Sequence, residues 1–214
     1  ERLTVYGLTR SQAVSTYGTL TGMAMPFVLF PSALVNSLAV VLLPVTARHQ
    51  SAGNDSGIAD GISMSFRYSL YLGIFCIGVF TVFGETLGLQ IFKSQDAGSF
   101  IQILAWLCPF LYLATSSGSI LNGLGKTKLT FFHHLVSLLI RIAFVWFGIP
   151  EFGIRACLWG MLASEIFLAL LHVLALRRIV PCNWNAWILI GKPVFCLLCA
   201  LWLFRLFPET LPLP

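Results

Sequence analysis

Two opposite charges sit in the middle of apolar sequence. Arg141 lies inside the stretch Leu129 to Ile149, and Glu165 lies inside Phe152 to Leu176. An ionised side chain at membrane depth costs about 3 kcal/mol even on lenient insertion scales, so such residues face a partner or a watery cavity and often mark a transport path. Two chemistries are open. In one, Arg141 and Glu165 form a structural ion pair that ties adjacent helices together. In the other, Arg141 presents its guanidinium to an anionic substrate group, while Glu165 sets its position or titrates during transport.

Uncharged polar residues supply further candidates. Ser32 and Asn36 lie one helical turn apart and project from one face of a proline-rich stretch. Thr115, Ser119 and Asn122 recur at helical spacing, with Ser116 and Ser117 beside them. A stripe of this kind either bonds across to a neighbouring helix or lines an aqueous path. Together, Ser32, Asn36, Thr115, Ser119, Asn122, Arg141 and Glu165 are the candidate lining of a substrate cavity.

Other reactive types do not assemble into a known chemistry. Cys76, Cys108, Cys157, Cys196 and Cys199 fall in apolar stretches, where free cysteine acts as a small hydrophobe. Cys196 and Cys199 make a CxxC, but no second ligand pair accompanies it. His133, His134 and His172 fall near the ends of two stretches and are expected at the membrane interface; Lys192 can snorkel to the same level. The loop Asn122-Gly123-Leu124-Gly125-Lys126-Thr127-Lys128 fails the phosphate-loop pattern, because Ile120 stands where the first glycine is required and no strand precedes it. Neither a catalytic group, a metal nor a cofactor is expected.

The elements that position these residues are membrane helices. A chain that is 57% hydrophobic and 10% charged lies outside the soluble range, where about a quarter of residues carry charge. The fold class is therefore all-α, a polytopic bundle. Six spans follow from apolar length bounded by polar or Gly/Pro punctuation: Tyr17 to Ala47, Tyr68 to Phe92, Ser99 to Leu121, Leu129 to Ile149, Phe152 to Leu176, and Trp187 to Phe207. The first carries Pro26, Pro31 and Pro44 and is expected to bend. Only Pro150 and Glu151 separate the fourth and fifth, which predicts a tight antiparallel hairpin. With the turn there, Arg141 is eight residues from it and Glu165 thirteen from Phe152, a depth offset of roughly 8 Å that long side chains can bridge.

Basic residues set an orientation. Arg48 and Arg67, Lys126 and Lys128, and Arg177 and Arg178 fall on one side if the spans alternate, and that side is expected to be cytoplasmic. The net charge of +5 fits juxtamembrane contact with anionic lipid and needs no nucleic acid. The chain begins with Glu1, and residues 1 to 16 lack the apolar core of a signal peptide, so it reads as one transmembrane domain, 1–214, cut from a longer protein.

Several short motifs carry a family resemblance. The run Tyr17-Gly18 through Met25-Pro26, then Phe30-Pro31, then Leu42-Leu43-Pro44 followed by Arg48, resembles the helix that opens the second half of bacterial polysaccharide and lipid-linked oligosaccharide flippases. The Asn122 to Thr127 connection resembles a short cytoplasmic loop later in that half. The nearest group is that of stage V sporulation protein B, within the multidrug/oligosaccharidyl-lipid/polysaccharide exporter superfamily, and the similarity covers nearly the whole chain. It implies two helix bundles around a central cavity in the bacterial cytoplasmic membrane, this chain supplying most of the second and the missing N-terminal half the first. It also implies movement of a polyprenyl-pyrophosphate-linked sugar by alternating access. Lipid II flippases of one branch carry an acidic–basic pair in the helix matching Tyr17 to Ala47, whereas here that helix is uncharged. A cation-coupled multidrug extruder, for which Glu165 is the deep acidic candidate, and a non-transporting assembly protein remain as alternatives.

Overall fold

The computed structural model describes residues 2–180 and 191–206 and contains helices but no strand among them. After a short α1 (Arg2–Val5), α2 (Arg10–Thr19) opens on a capping box: the Thr9 hydroxyl accepts from the Gln12 amide, and the Gln12 side chain accepts from the Thr9 amide. A π-helical turn, Leu20–Ala24, leads into α3 (Met25–Leu29), and two turn residues separate that from α4 (Ser32–Ser51). The expected span Tyr17 to Ala47 is thus the middle of a longer, bent run of helix from Arg10 to Ser51. The bend has a specific cause. Pro31 has no N–H to offer the Phe27 carbonyl, and the Phe30 amide takes that carbonyl instead at 3.3 Å, tightening the turn.

The same device recurs in the third span. Helix α5 (Asp55–Phe92) starts on Asn54, whose side chain accepts from the Gly57 amide, and ends at Lys93 in a left-handed conformation, φ 53°. Helix α6 (Gln95–Leu104) follows, with Ser94 as its cap. Pro109 then leaves the Ala105 carbonyl without its usual donor, the Cys108 amide takes it, and the chain passes through a 3₁₀ turn into α7 (Cys108–Gly123). Gly88 and Gly98 let α5 and α6 approach so closely that a Cβ on either would overlap the opposite backbone.

The fourth and fifth spans form the expected hairpin with a displaced turn. Helix α8 (Thr127–Ala143) continues through a π-helical turn, Phe144–Gly148, into α9 (Ile149–Phe152). The break falls at Gly153, φ 60°, before α10 (Ile154–Ile179). Pro150 does not end the helix because it occupies a first-turn position of α9, where a missing N–H is harmless.

Among the described residues, five helical stretches are long and apolar enough to cross a membrane: Ser32–Ser51, Asp55–Phe92, Gln95–Gly123, Thr127–Phe152 and Ile154–Ile179. The expected sixth span falls partly outside the described residues; within it, α11 (Lys192–Leu206) packs beside α5. Helix α7 is the centre of the bundle, packed against α4, α5 and α10, with Cys108, Tyr112, Ile120 and Leu121 fully buried. Large apolar side chains on α4, α8 and the π-helical turn after α8, such as Val40, Phe131, Leu139 and Phe147, point outward, which suits a hydrocarbon environment.

Candidate functional site

Helices α7, α8 and α10 line a half-open cavity of about 580 Å³. Helix α7 contributes Leu111, Ala114, Thr115, Gly118, Ser119 and Asn122, which recur every three or four residues and so form one face. Helix α8 adds His134, Ser137, Leu138 and Arg141, and α10 adds Glu165 and Leu168. Five of the seven residues expected from the sequence therefore converge. Ser32 and Asn36 do not: α4 packs on α7 through Val35, Ala39, Leu42 and Thr46, leaving Asn36 exposed and Ser32 half-buried away from this cavity.

Arg141 and Glu165 meet directly, Nη2 donating to Oε1 at 2.8 Å. The displaced turn explains why. Arg141 precedes Gly153 by twelve residues and Glu165 follows it by twelve, so the two stand at equal depth rather than offset. Ser164 completes the arrangement, its hydroxyl accepting from Arg141 Nε at 3.2 Å and Nη2 at 3.1 Å while donating to the Met161 carbonyl at 2.8 Å. The Ser137 hydroxyl, one turn before Arg141, donates to the Ser164 carbonyl at 3.0 Å and fixes the two helices further.

One edge of the guanidinium is thereby committed and the other is not. Arginine carries five N–H donors in a planar fork. Nε and Nη2 are used, whereas no protein group among the described residues accepts from Nη1, and the side chain remains 36% exposed. The carboxylate is far better covered, at 11%.

The uncharged stripe on α7 divides its bonds between packing and cavity. Ser119 donates across to the Ala39 carbonyl of α4, and Asn122 Oδ1 accepts from the Thr130 hydroxyl at 2.7 Å. Thr115 donates to the Leu111 carbonyl of its own helix at 2.8 Å. Each still contributes surface to the cavity wall.

Two contributors escaped the sequence reading. Ser164 stands beside Glu165 without a polar stripe around it, so adjacency to the charge was the available signal. The histidines were expected at the membrane interface, and the structure adds that two of them pack inside the bundle while His134 stays exposed. His172 is fully buried and His133 nearly so, because Gly118 on α7 leaves room for the His172 ring and α10 runs on to Ile179. The His172 ring centroid lies 5.1 Å from that of His133 and 5.6 Å from that of His134. No group of three or more His, Cys, Asp or Glu side chains among the described residues converges to hold a metal ion.

Comparison with known proteins adds a family context. No protein-family model matches the chain, and no solved structure matches it. Stage V sporulation protein B of Bacillus subtilis (strain 168) is 22% identical over 183 residues, covering 85% of this chain and 35% of that protein. Sporulation protein YkvU of the same organism is 24% identical over 168 residues, 78% of this chain and 38% of its own length. The protein named "Probable multidrug resistance protein YoeA", also from Bacillus subtilis, is 24% identical over 141 residues, 59% of this chain and 30% of the relative. The chain thus spans about a third of the length of these curated relatives, and its apolar helices and their likeness make it a multi-pass bacterial membrane protein.

Proposed function

We propose that this chain is part of a membrane transporter of the flippase and exporter kind, and that its cargo is a polyprenyl-pyrophosphate-linked sugar carried across the cytoplasmic membrane by alternating access. The likeness to stage V sporulation protein B and to YoeA supports the coarser half of this reading, a transporter. The finer half rests on one observation, the uncommitted Nη1 edge of Arg141 on the wall of a partly polar cavity within the membrane-spanning helices. A diphosphate crossing a region of low dielectric needs fixed donors, and a planar guanidinium meets its oxygens two at a time. Thr115, Ser119 and Asn122 supply hydroxyl and amide groups in place of water around the sugar.

A drug extruder recruiting cations would need a carboxylate free to attract them. Glu165 is bonded to Arg141 and largely covered, which favours an anionic cargo.

The test is translocation of a fluorescent lipid-linked sugar by the complete protein in vesicles. Arg141→Lys should slow it at least tenfold, because an ammonium lacks the paired donors. The charge swap Arg141→Glu with Glu165→Arg should recover folding without recovering flux. Normal flux in the swapped protein would remove Arg141 from the substrate path and leave it a helix fastener.

A further inference from the structure

Three imidazoles cluster together, His134 on the cavity wall and His133 and His172 buried beside it, and two of their nitrogens are without a partner: His133 Nδ1 and His172 Nε2. The tautomer of His172 follows from its other nitrogen. Nδ1 faces the Ala114 carbonyl at 3.1 Å, and a carbonyl only accepts, so Nδ1 carries the hydrogen and Nε2 is left with a bare lone pair inside the bundle. A buried acceptor without a donor is costly. That bare lone pair is the point at which this cluster can take up a proton.

Charge accounting in the cavity gives the proton a purpose. Arg141 and Glu165 cancel, so the wall offers donors but no net positive charge to a doubly ionised diphosphate. The facing surface of α7 carries hydroxyl, amide and apolar groups and no titratable side chain; α8 brings His133, His134 and Arg141, and α10 brings Glu165 and His172. A net positive charge can arise by neutralising Glu165 or by protonating a histidine, and of the histidines His134 presents it directly, since its side chain lies on the cavity wall while its ring touches His172. Resting on the anionic-cargo reading above, we infer that His133, His134 and His172 form a proton-binding site that fills together with the cavity, so that the diphosphate and one proton bind as a pair. Reciprocity follows: if a proton tightens the anion, the anion draws in the proton.

The probe is farnesyl-diphospho-N-acetylglucosamine, a diphosphate diester whose phosphates stay ionised from about pH 5.5 to 8, binding to the complete protein in phosphatidylcholine nanodiscs. The expected result is affinity that rises as pH falls, approaching about tenfold per pH unit where one proton is taken up with the ligand. Glu165→Gln should tighten binding at every pH while keeping that slope, because it frees Arg141 without touching the histidines. His134→Gln and His172→Gln should each flatten it; His134 is exposed, so its variant should fold even if the buried one does not. Binding without pH dependence, or a slope that survives in His134→Gln and vanishes in Glu165→Gln, would overturn the histidine site and leave the anionic cargo standing. No binding at any pH would overturn the anionic-cargo reading itself.

Discussion

The two seams that meet on α7 use polar residues in opposite ways. Between α5 and α7, the Ser69 and Ser116 hydroxyls bond each other at 2.9 Å and both are completely buried. Between α7, α8 and α10, Arg141 brings more donors than Glu165 and Ser164 accept, and a cavity stands beside it. Both seams are polar within apolar helices, so polarity alone does not separate fastener from site. What separates them is where an unused donor points: the serine pair is closed off inside the bundle, whereas the spare edge of Arg141 opens on a cavity and leaves a group for something else to bind.

That contrast can be broken by substitution, beginning with the largest expected effect. Arg141→Leu leaves Glu165 as a covered, unpaired carboxylate and should cost about 3–5 kcal/mol, read as a lower unfolding midpoint in detergent. Gly88→Val attacks the closed side of the bundle, where the α6 backbone has no freedom to retreat, and should cost about 1–3 kcal/mol with no change in ligand binding beyond that from partial unfolding. Gly153→Ala should cost about 1–3 kcal/mol, because the turn that sets Arg141 and Glu165 at equal depth holds φ 60° and ψ −143°, which a side chain rarely adopts, and a Cβ there would press on the Tyr6 ring. Ser69→Ala removes one interhelical bond, worth about 0.6 kcal/mol in membrane proteins, and should leave flux unchanged. A large flux loss in Ser69→Ala at normal stability would erase the distinction between the seams.

Much of this was legible in the sequence. Apolar length fixes a helical membrane protein, and the spacing of Thr115, Ser119 and Asn122 puts them on one face wherever that face points. The pairing of Arg141 with Glu165 was legible as one of two alternatives, because neither charge is affordable alone at that depth. Its geometry was not, since Pro150 looks like a terminator and proves to be a first-turn residue, while the break is made by Gly153. Asn36 marks a different limit. Its spacing from Ser32 is helical, but which side of α4 packs is decided by the fit to α7, and that fit cannot be read from α4 itself. The burial of His172 depends in the same way on a glycine in another helix, Gly118.

The most direct measurement is on the paired substitution Arg141→Leu with Glu165→Leu, with unfolding midpoint and lipid-linked sugar translocation followed in parallel on the complete protein. Removing both charges should restore the stability lost in Arg141→Leu, since a buried pair is readily replaced by apolar side chains. Translocation should stay at least a hundredfold below the unsubstituted protein, because the donors for the diphosphate are gone. Translocation that recovers along with stability would contradict the assignment, and would make Arg141 and Glu165 a fastener between α8 and α10.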